Sequence, residues 1–401
     1  MLWLTKNFST HNMPKLPTND RRLALISLLA LLLLSLAPAS RSQQSNSALA
    51  ARRAQHLRHG INLSEWFAQV YDPKGYTKEH FETWNTTHDI ALIKAMDFDH
   101  VRLSVNPQPM FRRHQADRIP AEYLGYLDAA VKMILDQGLA VVIDIHPDSD
   151  FKHNLATDDG FVEDFTDFWR ALAQHYSSFD PNLVFFETLN EPEVRDSYRW
   201  YGIQSRLAAA IREGAPQNTI IAVGARWDDD DDLLFDQPLR DPNIIYNFHF
   251  YEPHVFTHQG ATWGDSYWHF VTALPYPSDP ETARKVAEQV PDPVKRLAVV
   301  RYGADHWNAA RIDAEFDQVA VWAKRWDVPV VCNEFGVYRK VANPQDRAAW
   351  LSDVRKSLEK HGIGWTMWDY SGGFGVVTKQ NGQPSPDEIT VKALGRTVPP
   401  H

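Results

Sequence analysis

The sequence predicts a (β/α)8 TIM barrel, formed by a single catalytic domain with a long insertion after the sixth strand. Two observations support this prediction: eight short apolar runs recur along the chain, and amphipathic segments separate most of them. Continuous apolar runs are typical of parallel strands that are buried on both faces. An open doubly wound sheet is the alternative fold, but the glycine-rich turn that this fold uses is missing after Leu63.

The predicted elements alternate from residue 60 onward. Strands are expected at residues 60–63, 100–105, 139–146, 184–192, 219–224, 244–251, 328–334 and 362–368. Helices are expected at residues 123–136, 161–176, 199–213, 309–325 and 344–361, with a shorter one near 387–394. The fourth strand ends in Asn190-Glu191-Pro192, because Pro192 donates no backbone hydrogen bond and disfavours helix at Glu191.

The N-terminal residues have the features of a secretory signal peptide. Lys15, Arg21 and Arg22 precede the apolar run 23–37, and small residues follow it. This run is shorter than the roughly 20 residues of a spanning helix, so a permanent membrane anchor is the weaker alternative. We therefore expect a secreted or periplasmic protein. The expected organisation is a signal peptide at 1–40, a leader at 41–56 and the catalytic domain at 57–401.

Charge and cysteine content exclude several classes of function. A net charge of −10 argues against binding to nucleic acid. Cys332 is the one cysteine, so an internal disulfide and a cysteine zinc site are excluded, and we expect a buried core thiol. His249, His254 and His258 fit no strong metal motif, so neither a metal nor another cofactor is expected.

Polar residues end several of the predicted strands, and a barrel brings these strand ends together at one face. Glu191 ends the fourth strand and Glu334 the seventh, so their carboxyls would face each other across the barrel mouth. Carboxyl groups about 5–5.5 Å apart perform retaining glycoside hydrolysis. Arg102 near Glu334 would keep the nucleophile ionised, whereas Glu191 would need a raised pKa to hold its proton.

These residues resemble the motifs of glycoside hydrolase family 5, the cellulase family of clan A. Asn190-Glu191-Pro192 resembles the family motif whose glutamate is the acid/base, and Glu334-Phe335-Gly336 resembles the segment that carries the nucleophile. The resemblance covers about residues 60–394. It implies substrate-binding positions at Arg102, His146, Asn190, His249, Tyr251 and Trp368.

Two tryptophans outside these motifs are further candidates for substrate contacts, since flat aromatic rings suit stacking on sugars. Trp66 lies after the first predicted strand, where packing in the core is an equal alternative, and Trp227 follows the fifth. Trp227 opens the acidic run 228–232, which we expect to be a solvated loop, because it lacks the ligand spacing of a calcium loop.

The longest connection, residues 252–308, separates the sixth and seventh predicted strands. Long loops in compact domains are usually functional, so we expect it to form one wall of the substrate cleft. Trp263 or Trp268 would then stack on a sugar. The alternative is that these rings only anchor the insertion to the flank of the barrel.

The resemblance implies a retaining, endo-acting hydrolase of a β-glycan, most simply an endo-β-1,4-glucanase. An endo-β-1,4-mannanase or another β-glucanase of the family is the alternative. Glucan and mannan differ in the orientation of the 2-hydroxyl group, and no residue of the sequence identifies which orientation is bound. From a different class, a non-catalytic carbohydrate-binding barrel could have the same fold. A barrel that has lost its activity usually lacks one of the catalytic carboxylates, but Glu191 and Glu334 are both present. We expect a monomer whose partner is a β-glycan polysaccharide or oligosaccharide.

Overall fold

The structure, a computed structural model, describes residues 48–400, and eight parallel strands close there into a barrel in chain order. These strands are β1 His59–Phe67, β2 His100–Val105, β3 Ala140–Ile145, β4 Val184–Glu187, β5 Thr219–Ala222, β6 Ile244–Phe250, β7 Val330–Phe335 and β8 Gly364–Met367. A separate antiparallel hairpin pairs β9 Val377–Gln380 with β10 Gln383–Pro386. The predicted (β/α)8 barrel is confirmed.

Helices surround the barrel and bury its outward-facing strand residues. They are α1 Lys78–Thr83, α2 Thr87–Ala95, α3 Ala121–Asp136, α4 Ser149–Thr157, α5 Asp159–Tyr176, α6 Ser197–Gly214, α7 Asp230–Phe235, α8 His254–Thr257, α9 Pro280–Ala287, α10 Pro293–Ala304, α11 Ala309–Trp326, α12 Pro344–Lys360 and α13 Glu388–Ala393. The boundaries of the five long predicted helices lie within two residues of the observed ones. Side-chain caps fix the starts of three of these helices: Asp158, Asn308 and Asn343 accept hydrogen bonds from the first turns of α5, α11 and α12.

Inward-facing strand residues fill the barrel in two layers of different chemistry. The lower layer is apolar and includes Val142, Phe185, Ile221, Ile245 and Val331. The layer nearer the carboxyl ends of the strands is polar, although its side chains are fully buried; it includes Arg102, Asp144, Glu187, Asn247 and Asn333. The barrel interior thus supplies a rigid, charged support beneath its mouth.

Residues 48–56 close the opposite end of the barrel. Ala50, Ala54 and Leu57 pack with the lower apolar layer, and Arg53 donates a hydrogen bond to Thr219 Oγ1 at 3.1 Å. An open barrel end would expose that layer to water. Residues 48–56 therefore belong to the same compact unit as the barrel, and the division into leader and catalytic domain stays a prediction.

The predicted signal peptide, residues 1–40, lies outside the described residues. Within residues 48–400, none of the helices combines the length and the apolar character that crossing a membrane requires.

The insertion after β6 carries helices α8, α9 and α10 and has buried aromatic residues of its own. Tyr276 and Trp307 are 2% and 7% exposed, and the Tyr276 hydroxyl donates to Asp353 on α12 at 2.9 Å. These contacts fasten the insertion to the barrel. Trp263 and Trp268 instead reach the cleft at the barrel mouth. Tyr276 and Trp307 therefore anchor the insertion to the barrel, whereas Trp263 and Trp268 line the cleft.

Candidate active site

A cleft of about 800 Å³ opens at the carboxyl ends of the strands. Its walls come from the segments after β1, β5 and β8 and from the insertion that follows β6. Glu191 and Glu334 both line it. Each offers a carboxylate oxygen, and these two oxygens and a ring nitrogen of His249 all lie within 4.8 Å of one another. The fold therefore brings the two predicted carboxyls together.

Glu334 lies at the end of β7 and is held by two donors. Arg102 Nη1 donates to its Oε1 at 2.6 Å, and the Tyr251 hydroxyl donates to its Oε2 at 2.9 Å. Arg102 is fully buried and Glu334 is 4% exposed. Hydrogen bonds to charged groups are shorter and stronger than neutral ones. The carboxylate is therefore fixed in one orientation.

Glu191 lies just beyond β4 and has an unusual backbone conformation. Its φ of 43° is in the left-handed region, which costs a non-glycine residue about 1–2 kcal/mol. This turn between Asn190 and Pro192 carries the side chain into the cleft, where its Oε1 lies 3.0 Å from Nδ1 of His249. Strain of this kind persists where surrounding structure over-determines it.

The charge state of Glu191 differs from our expectation. Burial favours the neutral carboxyl, but the hydrogen bond from His249 and its positive charge outweigh burial and lower the pKa of Glu191 to about 2. For His249, burial is outweighed by the charges of Glu334 and Glu191, which raise the pKa of its ring. The proton thus resides on His249. The predicted raised pKa of Glu191 was wrong because the sequence does not show how close the imidazole lies.

Replacing His249 by asparagine is expected to raise the pKa of Glu191, since burial then dominates. The contribution of this pair to the stability of the fold is complete between roughly pH 4.5 and 6.5, the ordinary pKa values of the two groups. It is lost toward pH 2, where Glu191 is protonated in the folded protein, and lost again above the raised pKa of His249, where the imidazole becomes neutral. Carbon NMR of labelled glutamate carboxyls measures the titration directly. His258→Asn is the matched control, because the pKa of His258 is lowered to about 3 by burial, which leaves it neutral. An unmoved Glu191 titration in His249→Asn would contradict the pairing.

A buried ion network supports the pair from below. The Arg102 guanidinium donates to both oxygens of Glu187, at 3.0 and 2.6 Å, and lies 3.1 Å from Asp144. It also donates to Asn190 Oδ1 at 2.9 Å, which places that amide beneath the cleft. Burial, the largest effect, and the charge of Asp144 raise the pKa of Glu187 in spite of Arg102. Sequence reasoning missed Glu187 and Asp144; charged residues inside apolar strand runs were the available signal.

His146 and Trp368 face each other across the cleft wall. Their rings are nearly parallel, 15° apart, with centroids 5.6 Å from each other. His146 Nδ1 lies 2.9 Å from Asp144 Oδ2, so the same buried carboxylate orients the histidine. Trp227 is 57% exposed and lines the cleft after β5. These three rings lie where a sugar could stack.

Trp66 is not part of the cleft, which corrects our expectation. It is 2% exposed, and its indole nitrogen donates to the Phe81 carbonyl at 2.8 Å. Packing against α1, rather than sugar stacking, explains this residue. Strand alternation turns it away from the barrel mouth.

The acidic run 228–232 is not a solvated loop. Asp228, Asp230 and Asp232 are 0%, 6% and 3% exposed. Asp228 accepts hydrogen bonds from Gly224 and Asn247, and Asp232 accepts one from the backbone of Arg226 at 2.6 Å. The run therefore shapes the β5–β6 connection that presents Trp227.

Among the described residues, Glu191, His249 and Glu334 form a group that could geometrically hold a metal ion. We expected no metal because His249, His254 and His258 fit no metal motif. Of these three histidines, only His249 belongs to the group with Glu191 and Glu334. Cys332 is fully buried, and burial raises the pKa of its thiol, as expected for a core cysteine.

Comparisons with known proteins agree with this geometry. Residues 64–373 match the family model described as cellulase, glycosyl hydrolase family 5. Endoglucanase C of Acetivibrio thermocellus is 29% identical over 343 residues, which are 84% of this chain and 97% of that relative. The structure of Thermotoga maritima Cel5A in complex with cellobiose has a TM-score of 0.69 at 24% identity, and the match covers 86% of this chain and 99% of that one. The family model spans most of this chain, which therefore belongs to glycosyl hydrolase family 5, the cellulase family, and is a glycoside hydrolase.

Proposed function

We propose that this protein is a retaining endo-β-1,4-glucanase in which Glu334 is the nucleophile and Glu191 the general acid and then base. The main support for this proposal is that a carboxylate oxygen of Glu191 and one of Glu334 lie within 4.8 Å of each other in an open cleft. An inverting enzyme needs carboxyls about 6.5–9.5 Å apart, so that a water fits between substrate and base. The relatives named endoglucanase support a glucan cleaved within its chain.

In the first step, Glu334 Oε2 or Oε1 attacks the anomeric carbon while the glycosidic C–O bond breaks. The leaving oxygen takes a proton from Glu191, which receives one from His249 through the 3.0 Å contact between their Oε1 and Nδ1 atoms. The products are a glycosyl ester on Glu334, a neutral His249 and a free sugar hydroxyl. Proton transfer of this kind typically accelerates a reaction by about 10²–10⁴-fold.

In the second step, a water attacks the same anomeric carbon and displaces the Glu334 carboxylate. Glu191 accepts the proton of that water and His249 takes it up again, so each group returns to its starting charge. Arg102 and Tyr251 stabilise the departing carboxylate, because they already contact its two oxygens in the free protein. Two inversions leave the β-configuration unchanged.

Reducing-sugar release from carboxymethylcellulose, glucomannan, galactomannan, xylan and laminarin tests the substrate. A β-1,4-glucanase hydrolyses carboxymethylcellulose in preference to galactomannan and laminarin. Proton NMR at early times tests the mechanism, because the first product must be the β-anomer. A first-formed α-anomer would overturn the retaining mechanism, and preference for galactomannan would favour the mannanase alternative.

The two cleft tryptophans of the insertion are expected to respond differently to replacement by alanine. Trp263 is 46% exposed, so its loss should weaken binding of long cello-oligosaccharides severalfold with little change in Tm. Trp268 packs between His254 and His258, with ring centroids 5.9 and 4.8 Å away. Its loss should also reduce the free energy of unfolding by roughly 1–3 kcal/mol.

Calorimetric titration and thermal melting measure both effects. Trp326→Ala is the matched control, because Trp326 is 37% exposed on α11 and does not line the cleft. Unchanged oligosaccharide binding in Trp263→Ala would remove the insertion from the substrate site.

We further propose that the protein is secreted or periplasmic and acts as a monomer. The proposal on location rests on the basic and apolar residues between Lys15 and Ala39. N-terminal sequencing of the exported protein and its mass in solution are the corresponding measurements.

A further inference from the structure

Asp228 is a buried carboxyl next to the catalytic centre. It follows β5, is fully buried and does not line the cleft. Trp227 and Asp228 are consecutive residues in the left-handed region, with φ of 56° and 57°. Each such residue costs about 1–2 kcal/mol, and strain of this kind clusters at functional sites. The strained turn carries Trp227 to the cleft and Asp228 into the interior.

The imidazole of His249 lies between Glu191 and Asp228. Its Nδ1 is 3.0 Å from Glu191 Oε1 and 3.6 Å from Glu334 Oε2, whereas its Nε2 is 3.7 Å from Asp228 Oδ2. Within residues 48–400, Nε2 is shielded from solvent and has no hydrogen-bond partner. The backbone supports this arrangement, because the His249 N–H donates to the Asp228 carbonyl at 2.6 Å. Asp228 thus supplies the carboxyl oxygen that faces the second ring nitrogen.

Two donors hold the Asp228 carboxyl in this orientation. Its Oδ1 accepts from the Gly224 N–H, and its Oδ2 accepts from the Asn247 side-chain amide. That amide is itself oriented, because its Oδ1 accepts from the Asn333 N–H at 2.8 Å, so its NH2 group must face Asp228. A carboxylate oxygen has a further lone pair with which it can accept from Nε2. The 3.7 Å contact is longer than a hydrogen bond, but catalytic hydrogen bonds often shorten when substrate binds.

Proton transfer from His249 to Glu191 requires a proton on the other ring nitrogen. When Nδ1 gives up its proton, the neutral ring keeps its remaining proton on Nε2. A neutral ring whose one proton lay on Nδ1 could not release it, because an imidazole anion would result. An acceptor at Nε2 favours the productive form. Burial raises the pKa of Asp228, so a proton held between its carboxyl and Nε2 is not readily lost to solvent.

We propose that Asp228 is a positioning residue that holds a proton on Nε2 of His249, so that the Nδ1 proton is the one exchanged with Glu191. The inference rests on the proposed function, in which Glu191 is the general acid. The Nδ1 proton passes to Glu191 and then to the leaving oxygen, while the Nε2 proton stays in place. Serine hydrolase triads divide the roles of the two ring nitrogens in the same way, with a carboxylate at one of them.

Asp228→Asn tests this role, because an NH2 group can then face Nε2 in place of an acceptor. The kcat/KM for cellotetraose should fall by at least about 10²-fold, the usual contribution of general acid catalysis. The kcat/KM for dinitrophenyl β-cellobioside should fall by less than about threefold, since that leaving group departs without a proton. A merely structural role of Asp228 would lower both values together.

Asp232→Asn is the matched control, because Asp232 is a buried carboxyl of the same run that accepts from the Arg226 N–H at 2.6 Å. Its effect should be the same on both substrates. Equal losses on both substrates in Asp228→Asn, or unchanged hydrolysis of cellotetraose, would overturn the proposal. A loss confined to cellotetraose in Asp232→Asn would overturn it as well.

Nitrogen NMR of labelled histidine provides a measurement that needs neither a variant of Asp228 nor a substrate. In the native protein near neutral pH, Nε2 of His249 should carry a proton that exchanges slowly with solvent, because this nitrogen is buried. His249→Asn identifies the signal. A bare Nε2 would overturn the proposal even if Asp228→Asn does not fold. Failure of the native protein to hydrolyse either substrate would instead overturn the proposed glucanase function, which the NMR result does not depend on.

Discussion

Glu334→Ala is expected to lower kcat on cello-oligosaccharides by at least about 10⁴-fold, because it removes the group that forms the covalent intermediate. Glu191→Ala should be as damaging with natural substrates, but it should retain activity on aryl glycosides, whose leaving groups need no proton. Added azide then separates the two roles. With Glu191→Ala, azide attacks the glycosyl-enzyme and gives a β-glycosyl azide. With Glu334→Ala, azide occupies the vacated space and gives the α-glycosyl azide.

Glu193→Gln is the matched control for this experiment, since Glu193 lies two residues beyond Glu191 and contacts Ser149 and Lys152 instead of Glu334. It should keep most of the activity and give no azide product. Exchange of the two anomers between the variants would reverse the assignment of Glu191 and Glu334. Product formation at the natural rate in Glu334→Ala would end the covalent mechanism.

Arg102→Met is expected to have the second largest effect, because it acts on both stability and catalysis. It leaves Glu187, Asp144 and Glu334 without their common counter-charge in a fully buried site. Breaking a buried ion pair on one side costs about 3–5 kcal/mol. The kcat should fall as well, because Glu334 loses one of the two donors that orient its carboxylate. Urea unfolding and steady-state kinetics measure the two effects.

The double variant Arg102→Met with Glu187→Gln distinguishes charge from packing. Removing one uncompensated carboxylate should restore part of the lost free energy of unfolding, yet kcat should stay low because Glu334 still lacks the hydrogen bond from Arg102. A stability loss under about 1 kcal/mol in Arg102→Met would mean that Glu187, whose pKa is raised, is already neutral. An unchanged kcat in Arg102→Met would mean that the hydrogen bond from Arg102 to Glu334 does not contribute to catalysis.

The local features of the fold were predictable because they depend on residues close in sequence. Apolar runs located the strands, amphipathic segments located the long helices, and Asn190-Glu191-Pro192 located the turn that carries Glu191. A parallel barrel places the ends of all strands at one face, so Glu191 and Glu334 could be expected to meet. The family motifs agreed, and the match of residues 64–373 confirmed the family.

Contacts between strands were not predictable in the same way. Glu187 and Asp144 surround Arg102 because strand register brings Asp144 opposite Glu187, and register is a property of the assembled sheet. Likewise, the exposure of Trp66 and of the run 228–232 depends on which face the surrounding segments cover. The sequence shows that such residues are aromatic or acidic, but burial is decided by their neighbours.

The sequence by itself determined the barrel, its five long helices, the family and the two facing carboxyls, because periodicity and turn chemistry are encoded locally. Only the tertiary structure decided that His249 lies 3.0 Å from Glu191 and lowers the pKa of that carboxyl to about 2. It also decided that residues 48–56 close the barrel. Each of these depends on distances between segments far apart in the chain, where electrostatic energy changes steeply with separation and burial.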